Sequence, residues 1–135
     1  MKLIINDKTY NQSQLDKFIQ LKLANKTTET WERSIFLFIS EWIHGGPSII
    51  LHTSGSVGSP KTISVTKNYM VQSALRTGKF FKLKRCCTCL LSLPIDSIAG
   101  KMMVVRAIVL GLNLIYVKPQ ANPFCELLNN QPEAE

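Results

Sequence analysis

"SIILHTSGSVGSPKTISV", Ser48 to Val65, decides how this 135-residue chain is to be read. Within it Gly55 to Thr62, "GSVGSPKT", differs at one position from G-x-x-x-x-G-K-[ST], the loop with which nucleotide hydrolases hold phosphate. Pro60 stands where that loop needs a glycine. Proline fixes φ near −65° and has no N–H, so it neither takes the glycine's geometry nor donates to a phosphate oxygen. The hydrolase loop also opens directly into a helix. Here Thr62-Ile63-Ser64-Val65 is rich in β-branched residues and predicts a strand, as does "SIILH" before the loop. The stretch is therefore a Gly/Ser loop joining two short strands.

On its own merits the loop carries hydroxyls at Thr53, Ser54, Ser56 and Ser59, glycines at Gly55 and Gly58, and a positive charge at Lys61. Such a set suits a polyphosphate, with backbone N–H groups and hydroxyls on the oxygens and the lysine on the charge. A flexible hairpin loop has the same composition.

Outward from the loop the pattern alternates between elements. A short N-terminal strand precedes "YNQSQLDKFIQLKL", where Leu15, Phe18 and Ile19 recur at helical spacing and Ser13 with Asp16 matches a capping pair. Trp31, Ile35, Phe38, Ile39 and Trp42 mark a second helix with its tryptophans in the core, capped by Thr27 or Thr28 and stopped by Gly45-Gly46-Pro47. Downstream, Thr66 is placed to cap a helix through Tyr69, Met70, Ser73 and Ala74 towards Gly78. "CCTCLLSLP" predicts a strand buried on both faces. Asp96 or Ser97 caps "IAGKMMVVRAIVLG", Gly111 ends it, and "LNLIYV" is the last strand. This order predicts βαβ units in an α/β fold: an open, mostly parallel sheet with flanking helices. The expected organisation is one unit: a helical N-terminal region over 1–47, the loop and βαβ units over 48–118, and a tail over 119–135.

Sixteen Lys+Arg against nine Asp+Glu leave a net charge of +7, which favours anionic partners. The N-terminus lacks a signal-peptide core, and the longest apolar run, Ala107 to Val117, falls short of a bilayer span. A cytoplasmic location is the expectation. Cys86, Cys87, Cys89 and Cys125 lack paired C-x-x-C spacing and histidine partners, so no metal site is expected, and Cys87 with Cys89 reads as buried free thiols on one strand face. Arg76, Lys79, Lys82, Lys84 and Arg85 crowd ten residues and read as a solvated basic surface, with a phosphate contact behind that. His52 reads as a hydrogen-bonded residue at the core's edge and His44 as a helix-end residue. Lys101 and Arg106, five apart on one helix, lie on different sides.

In the order Thr53-Ser54-Gly55-Ser56-Val57-Gly58-Ser59-Pro60-Lys61 the loop resembles the adenylate-forming superfamily of acyl-CoA synthetases, peptide-synthetase adenylation domains and luciferases, whose loop reads T-S-G-[ST]-T-G-x-P-K. Eight of the nine positions fit; Val57 replaces the usual threonine, and Thr62 the glycine that commonly follows the lysine. "LSLPIDSIAGKMMVVRAIVLGLNLIYV" resembles the segment of the same superfamily that reads L-P-L-x-H-x-x-G and forms part of the acyl pocket. Ser97 stands where many members carry histidine and Asp96 where they carry an aromatic, so that histidine's role does not transfer. The run "IAGKMMVVRA" is similar to compact o-succinylbenzoate–CoA ligases of menaquinone synthesis.

The resemblance implies an incomplete N-terminal portion of the acyl-CoA synthetase large domain. It implies that Thr53 to Lys61 hold the ATP phosphates and that Asp96, Ser97, Ala99, Gly100 and Lys101 border the acyl pocket. The implied partners are a small carboxylate, ATP, coenzyme A and the remainder of the ligase chain. Mg²⁺ ligands, the ribose aspartate and the catalytic lysine have no counterpart here, so the implied chain has no complete catalytic set and no turnover alone. A basic module holding nucleic acid or another polyanion is the alternative.

Overall fold

The computed structural model describes residues 1–53 and 58–124. Ser54 to Val57 of the loop, and Cys125 with the rest of the expected tail, lie outside the described residues.

The N-terminus forms a hairpin rather than a single strand: β1 (Lys2–Ile5) pairs antiparallel with β2 (Lys8–Asn11). Asn6 and Asp7 make the turn at φ 47° and 65°. Two-residue hairpin turns require positive φ at both positions, and Asn and Asp tolerate it best among non-glycine residues. Leu3 and Ile5 point inward and are buried.

Helix α1 (Gln12–Ala24) starts at a capping box, but its members are Asn11 and Gln14, not Ser13 and Asp16. The Gln14 N–H donates to Asn11 Oδ1 at 3.0 Å, and the Asn11 N–H donates to Gln14 Oε1 at 2.9 Å. Helix α2 (Thr30–His44) begins after Glu29, with no side-chain cap; Thr27 and Thr28 stand too far upstream. Ile35, Phe36, Phe38 and Ile39 of α2 are buried, whereas Trp31 and Trp42 are only half-buried against them. Glu32 joins three elements, accepting from Lys22 Nζ of α1 at 2.7 Å and from the Tyr116 hydroxyl at 3.0 Å. Burial, then the Glu32 carboxylate, pushes the Tyr116 hydroxyl far above the ordinary phenol range.

Strands β3 (Ser48–Thr53) and β4 (Lys61–Thr66) form a separate antiparallel hairpin, in register from Ser48 with Thr66 to Thr53 with Lys61. β4 does not join the main sheet, so the first expected βαβ unit is absent and β4 turns straight into α3 (Lys67–Phe80), which continues past Gly78. As expected, Thr66 caps α3, its hydroxyl accepting from the Tyr69 N–H. The second unit forms: β5 (Thr88–Leu91), α4 (Ile98–Leu110) and β6 (Asn113–Tyr116) make a parallel crossover. The main sheet runs β2-β1-β6-β5, with β1–β6 and β5–β6 parallel, an α/β sheet with flanking helices.

β5 lies at an edge and is four residues long, not a strand buried on both faces. Cys86 and Cys87 precede it and are exposed; Cys89 is half-buried. The expectation of a buried thiol pair fails because Cys86 sits in a turn at φ 64° and Cys87 donates its N–H back to the Lys84 carbonyl, ahead of the strand. Burial pushes the Cys89 thiol up to about 11.

Helix α4 touches β1, β3, β5, β6 and α3 and so joins the main sheet to the hairpin region. Gly78 lets α3 approach it: an added Cβ would meet Leu110 Cδ2 at 2.7 Å. Gly111 ends α4 in the left-handed conformation, φ 66°. Asn113, buried at the start of β6, accepts from the Asp7 N–H at 3.0 Å and donates to Asp7 Oδ1 at 2.7 Å, tying the first turn to the centre of the sheet.

Lys67 opens α3, where a positive charge opposes the helix dipole. Its ammonium instead caps α2, donating to the carbonyls of Glu41, Trp42 and Gly45 at 3.2, 2.8 and 3.0 Å, 5.7 Å from the Trp42 ring centroid. Lys67→Met is expected to lower unfolding free energy by about 1–2 kcal/mol in urea titrations, the scale of a charge-assisted bond partly replaced by water. Alkylation at pH 8 provides a separate check: Cys89 holds on the order of a hundred-fold less thiolate than an ordinary thiol, so peptide mass spectrometry should find it modified last among Cys86, Cys87 and Cys89.

Candidate functional site

The loop connects antiparallel strands, which separates it from the hydrolase loop that opens into a helix. Its two ends meet at the last register pair, where the Thr53 hydroxyl donates to the Lys61 carbonyl at 3.1 Å. Gly58 has φ 101°, a conformation that residues with a side chain rarely adopt, while an added Cβ there would meet nothing within 4 Å among the described residues. The backbone conformation itself therefore constrains this position. Ser59, Pro60 and Lys61 are exposed, so the Lys61 ammonium is available at the mouth of the loop.

His52 lies on the outward face of β3, opposite Thr62, and is exposed rather than set at the edge of the core. His44 does end α2 and meets Asp16 Oδ1 at 2.9 Å. At the base of the hairpin, Ser64, Val65, Thr66 and Tyr69 line an open depression of about 300 Å³.

The second group stands at the start of α4. Ser97 is the N-cap: its hydroxyl accepts from the Gly100 N–H at 3.0 Å and donates to the Pro94 carbonyl at 2.7 Å. Gly100 is required sterically, because an added Cβ would lie 2.2 Å from the Pro94 carbonyl oxygen. The Lys101 ammonium donates to the Ile95 carbonyl at 3.0 Å and sits 5.3 Å from the Phe38 ring centroid. Asp96 and Ala99 are exposed.

Lys101 and Asp96 border a cleft of about 200 Å³ against α2, completed by Ser34, Leu37, Phe38, Glu41 and Ile95. An adjoining recess of about 60 Å³ shares Ser34, Ile95 and Asp96 and is closed by Trp31, Leu93, Pro94 and Pro119. The α2 face of this cleft is not visible as a site in the sequence, where Ser34 and Glu41 belong to no motif. The only signal was that both fall on the same helix as Phe38. Arg106, on the same helix as Lys101, is half-buried and its Nε has no hydrogen-bond partner among the described residues.

The structure places the loop on the hairpin and the second group on the crossover, and Thr53 and Lys61 bond to each other rather than to the 96–101 segment. Among the described residues no group of three or more His, Cys, Asp or Glu side chains could hold a metal ion. Among the same residues no helix is long and apolar enough to cross a membrane.

No family model and no curated protein matches the chain. Solved structures do. An acyl-CoA synthetase (AMP-forming)/AMP-acid ligase II-like protein from Dyadobacter fermentans is 29% identical with a TM-score of 0.72, over 93% of this chain and 33% of that one. The o-succinylbenzoate coenzyme A synthetase of Bacillus subtilis, solved in complex with AMP, is 20% identical with a TM-score of 0.53, over 59% of this chain and 16% of that one. The second shares fold alone. This chain thus spans about a third of the length of the Dyadobacter protein, and over that span it has the α/β fold found in AMP-forming acyl-CoA synthetases.

Proposed function

We infer that the chain is part of an ATP-dependent carboxylate–CoA ligase, supplying its phosphate loop and one wall of its acyl site. The observation that carries this reading is the Thr53–Lys61 loop, turned between two antiparallel strands in a chain that has the fold of an AMP-forming acyl-CoA synthetase. In the reaction a substrate carboxylate oxygen attacks the α-phosphorus of ATP. The bond to the bridging oxygen breaks, pyrophosphate departs and an acyl-adenylate remains. The thiol of coenzyme A then displaces AMP from the acyl carbon and loses its proton.

The chain's own residues contribute binding and positioning. Lys61 neutralises the departing pyrophosphate, and the loop N–H groups and hydroxyls hold its oxygens, an electrostatic role realised as charge develops. Thr53 must exchange its bond to the Lys61 carbonyl for one to phosphate, and Val57 offers no hydroxyl. Asp96, Ser97, Ala99, Gly100 and Lys101 form the acyl wall, but Ser97 is already engaged in capping and Lys101 in the Ile95 carbonyl.

The Mg²⁺ ligands are assigned in this reading to the remainder of the ligase. The carboxylate proposed is o-succinylbenzoate, on the likeness of the "IAGKMMVVRA" run, in a cytoplasmic setting.

Titration calorimetry with ATP tests the loop. Lys61→Ala should weaken binding roughly ten- to a hundred-fold, the worth of one charge-assisted phosphate contact, with the thermal melt unchanged. Equal ATP affinity in the two proteins would overturn the role of Lys61. Pyrophosphate exchange into ATP should be absent for the chain alone, and carboxylate-dependent exchange by it would refute the division of the site between this chain and a remainder.

A further inference from the structure

We propose that the turn closing α3 is a docking surface for anionic lipid bilayers, with Phe80 and Phe81 entering the interface and the surrounding cations meeting the headgroups. Phe80 and Phe81 are 79% and 65% exposed, and Leu83 beside them is 36% exposed. Five cations within five residues of them in sequence, Arg76, Lys79, Lys82, Lys84 and Arg85, are exposed. Among the described residues none of the five forms an ion pair. No Asp or Glu occurs between Glu41 and Asp96, so the sequence offers them no nearby counter-charge.

The patch is built on an ordered turn. The Phe81 N–H donates to the Thr77 carbonyl at 3.0 Å and the Leu83 N–H to the Gly78 carbonyl at 2.9 Å, while Lys82 takes the left-handed position at φ 52°. That is a helix end locked by bonds from beyond it, with a lysine in the place glycine usually fills. The two rings are therefore held outward by backbone geometry.

Anionic charge complementarity alone fits both lipid and nucleic acid; the ring geometry favours lipid. The rings pack edge to face on each other, 4.9 Å apart at 82°, and do not present parallel open faces on which successive bases could stack. A bilayer interface accepts apolar side chains in any orientation and attracts each flanking cation to its negative surface. The surface is independent of the ligase reading, since it uses neither the loop nor the α4 cleft.

The test is co-sedimentation of the 135-residue chain with vesicles of phosphatidylcholine and phosphatidylglycerol, against phosphatidylcholine alone. Binding is expected for the mixed vesicles only, falling as salt rises. The F80S/F81S variant, which leaves the charge unchanged, should lose on the order of ten-fold or more in partitioning, and each of K79Q, K82Q and K84Q roughly five-fold. In a separate readout, an F81W variant should show a blue-shifted tryptophan emission with mixed vesicles; an unshifted spectrum would show that the turn does not enter the interface, whatever the serine variant's stability. Equal binding to neutral vesicles, undiminished binding by F80S/F81S, or pelleting without vesicles through self-association overturns the proposal. So does preferential binding to a single-stranded oligonucleotide that depends on Phe80 and Phe81.

Discussion

The ammonium of Lys67 holds together the two parts of the chain on which the candidate site depends. The last carbonyls of α2 have no partner within their helix and carry its negative end. From the first residue of α3, Lys67 covers the Trp42 carbonyl, shares the Glu41 carbonyl with the Gly45 N–H and reaches the Gly45 carbonyl just beyond the helix, while its backbone N–H donates to the Pro47 carbonyl at 2.8 Å. Because β4 ends one residue earlier, this single side chain clamps the base of the β3–β4 hairpin onto α2. At the other end of the hairpin, where Thr53 pairs with Lys61, the Thr53 hydroxyl donates to the Lys61 carbonyl. A hairpin fixed at its base suits the phosphate-holding role proposed for its loop.

Helix α4 imposes the second constraint. Its first turn is fixed by Ser97 as cap, by the closeness of Gly100 to the Pro94 carbonyl, and by Lys101 reaching back to the Ile95 carbonyl. These contacts bring Ile95, Asp96 and Lys101 against α2 and create the cleft there. In the superfamily this sequence resembles, many members have a histidine where Ser97 stands. A serine there makes the position a structural one, because its hydroxyl is used on both sides, as acceptor and as donor. The helix that forms the cleft wall, α2, is also the one whose C-terminal end Lys67 caps, so the hairpin and the cleft share one support.

Much of the local structure was legible in the chain. Thr66, Ser97 and Gly111 occupy the cap positions that their residue types predict, and the β-branched stretches on both sides of the Gly/Ser loop became paired strands. Each of these rests on interactions within about four residues, or on a hairpin closed by one loop. Errors began where two readings were locally equivalent. Ser13 with Asp16 and Asn11 with Gln14 both satisfy a capping box, and only the end of β2 selects the latter. The Asn6-Asp7 turn is poorly legible in the sequence because a pair without glycine is a weaker signal for positive φ. The cysteine run looked like a buried strand by composition, but a turn consumed its first half.

By itself the sequence determined most of the helices and strands, the caps of α3 and α4, and a loop chemistry that proline excludes from one class of phosphate site. Tertiary structure decided the partners: that β4 pairs with β3 rather than entering the sheet, that β1 lies beside β6, that Lys67 serves α2, and that Lys101 faces Phe38. The physical reason is range. Asn113 meets Asp7 across 106 residues, Tyr116 meets Glu32 across 84 and Lys67 meets Trp42 across 25. A strand's apolar alternation or a helix's cap is written in adjacent residues, whereas the partner of a buried amide or an ammonium is chosen by which chain ends the packed core brings near it.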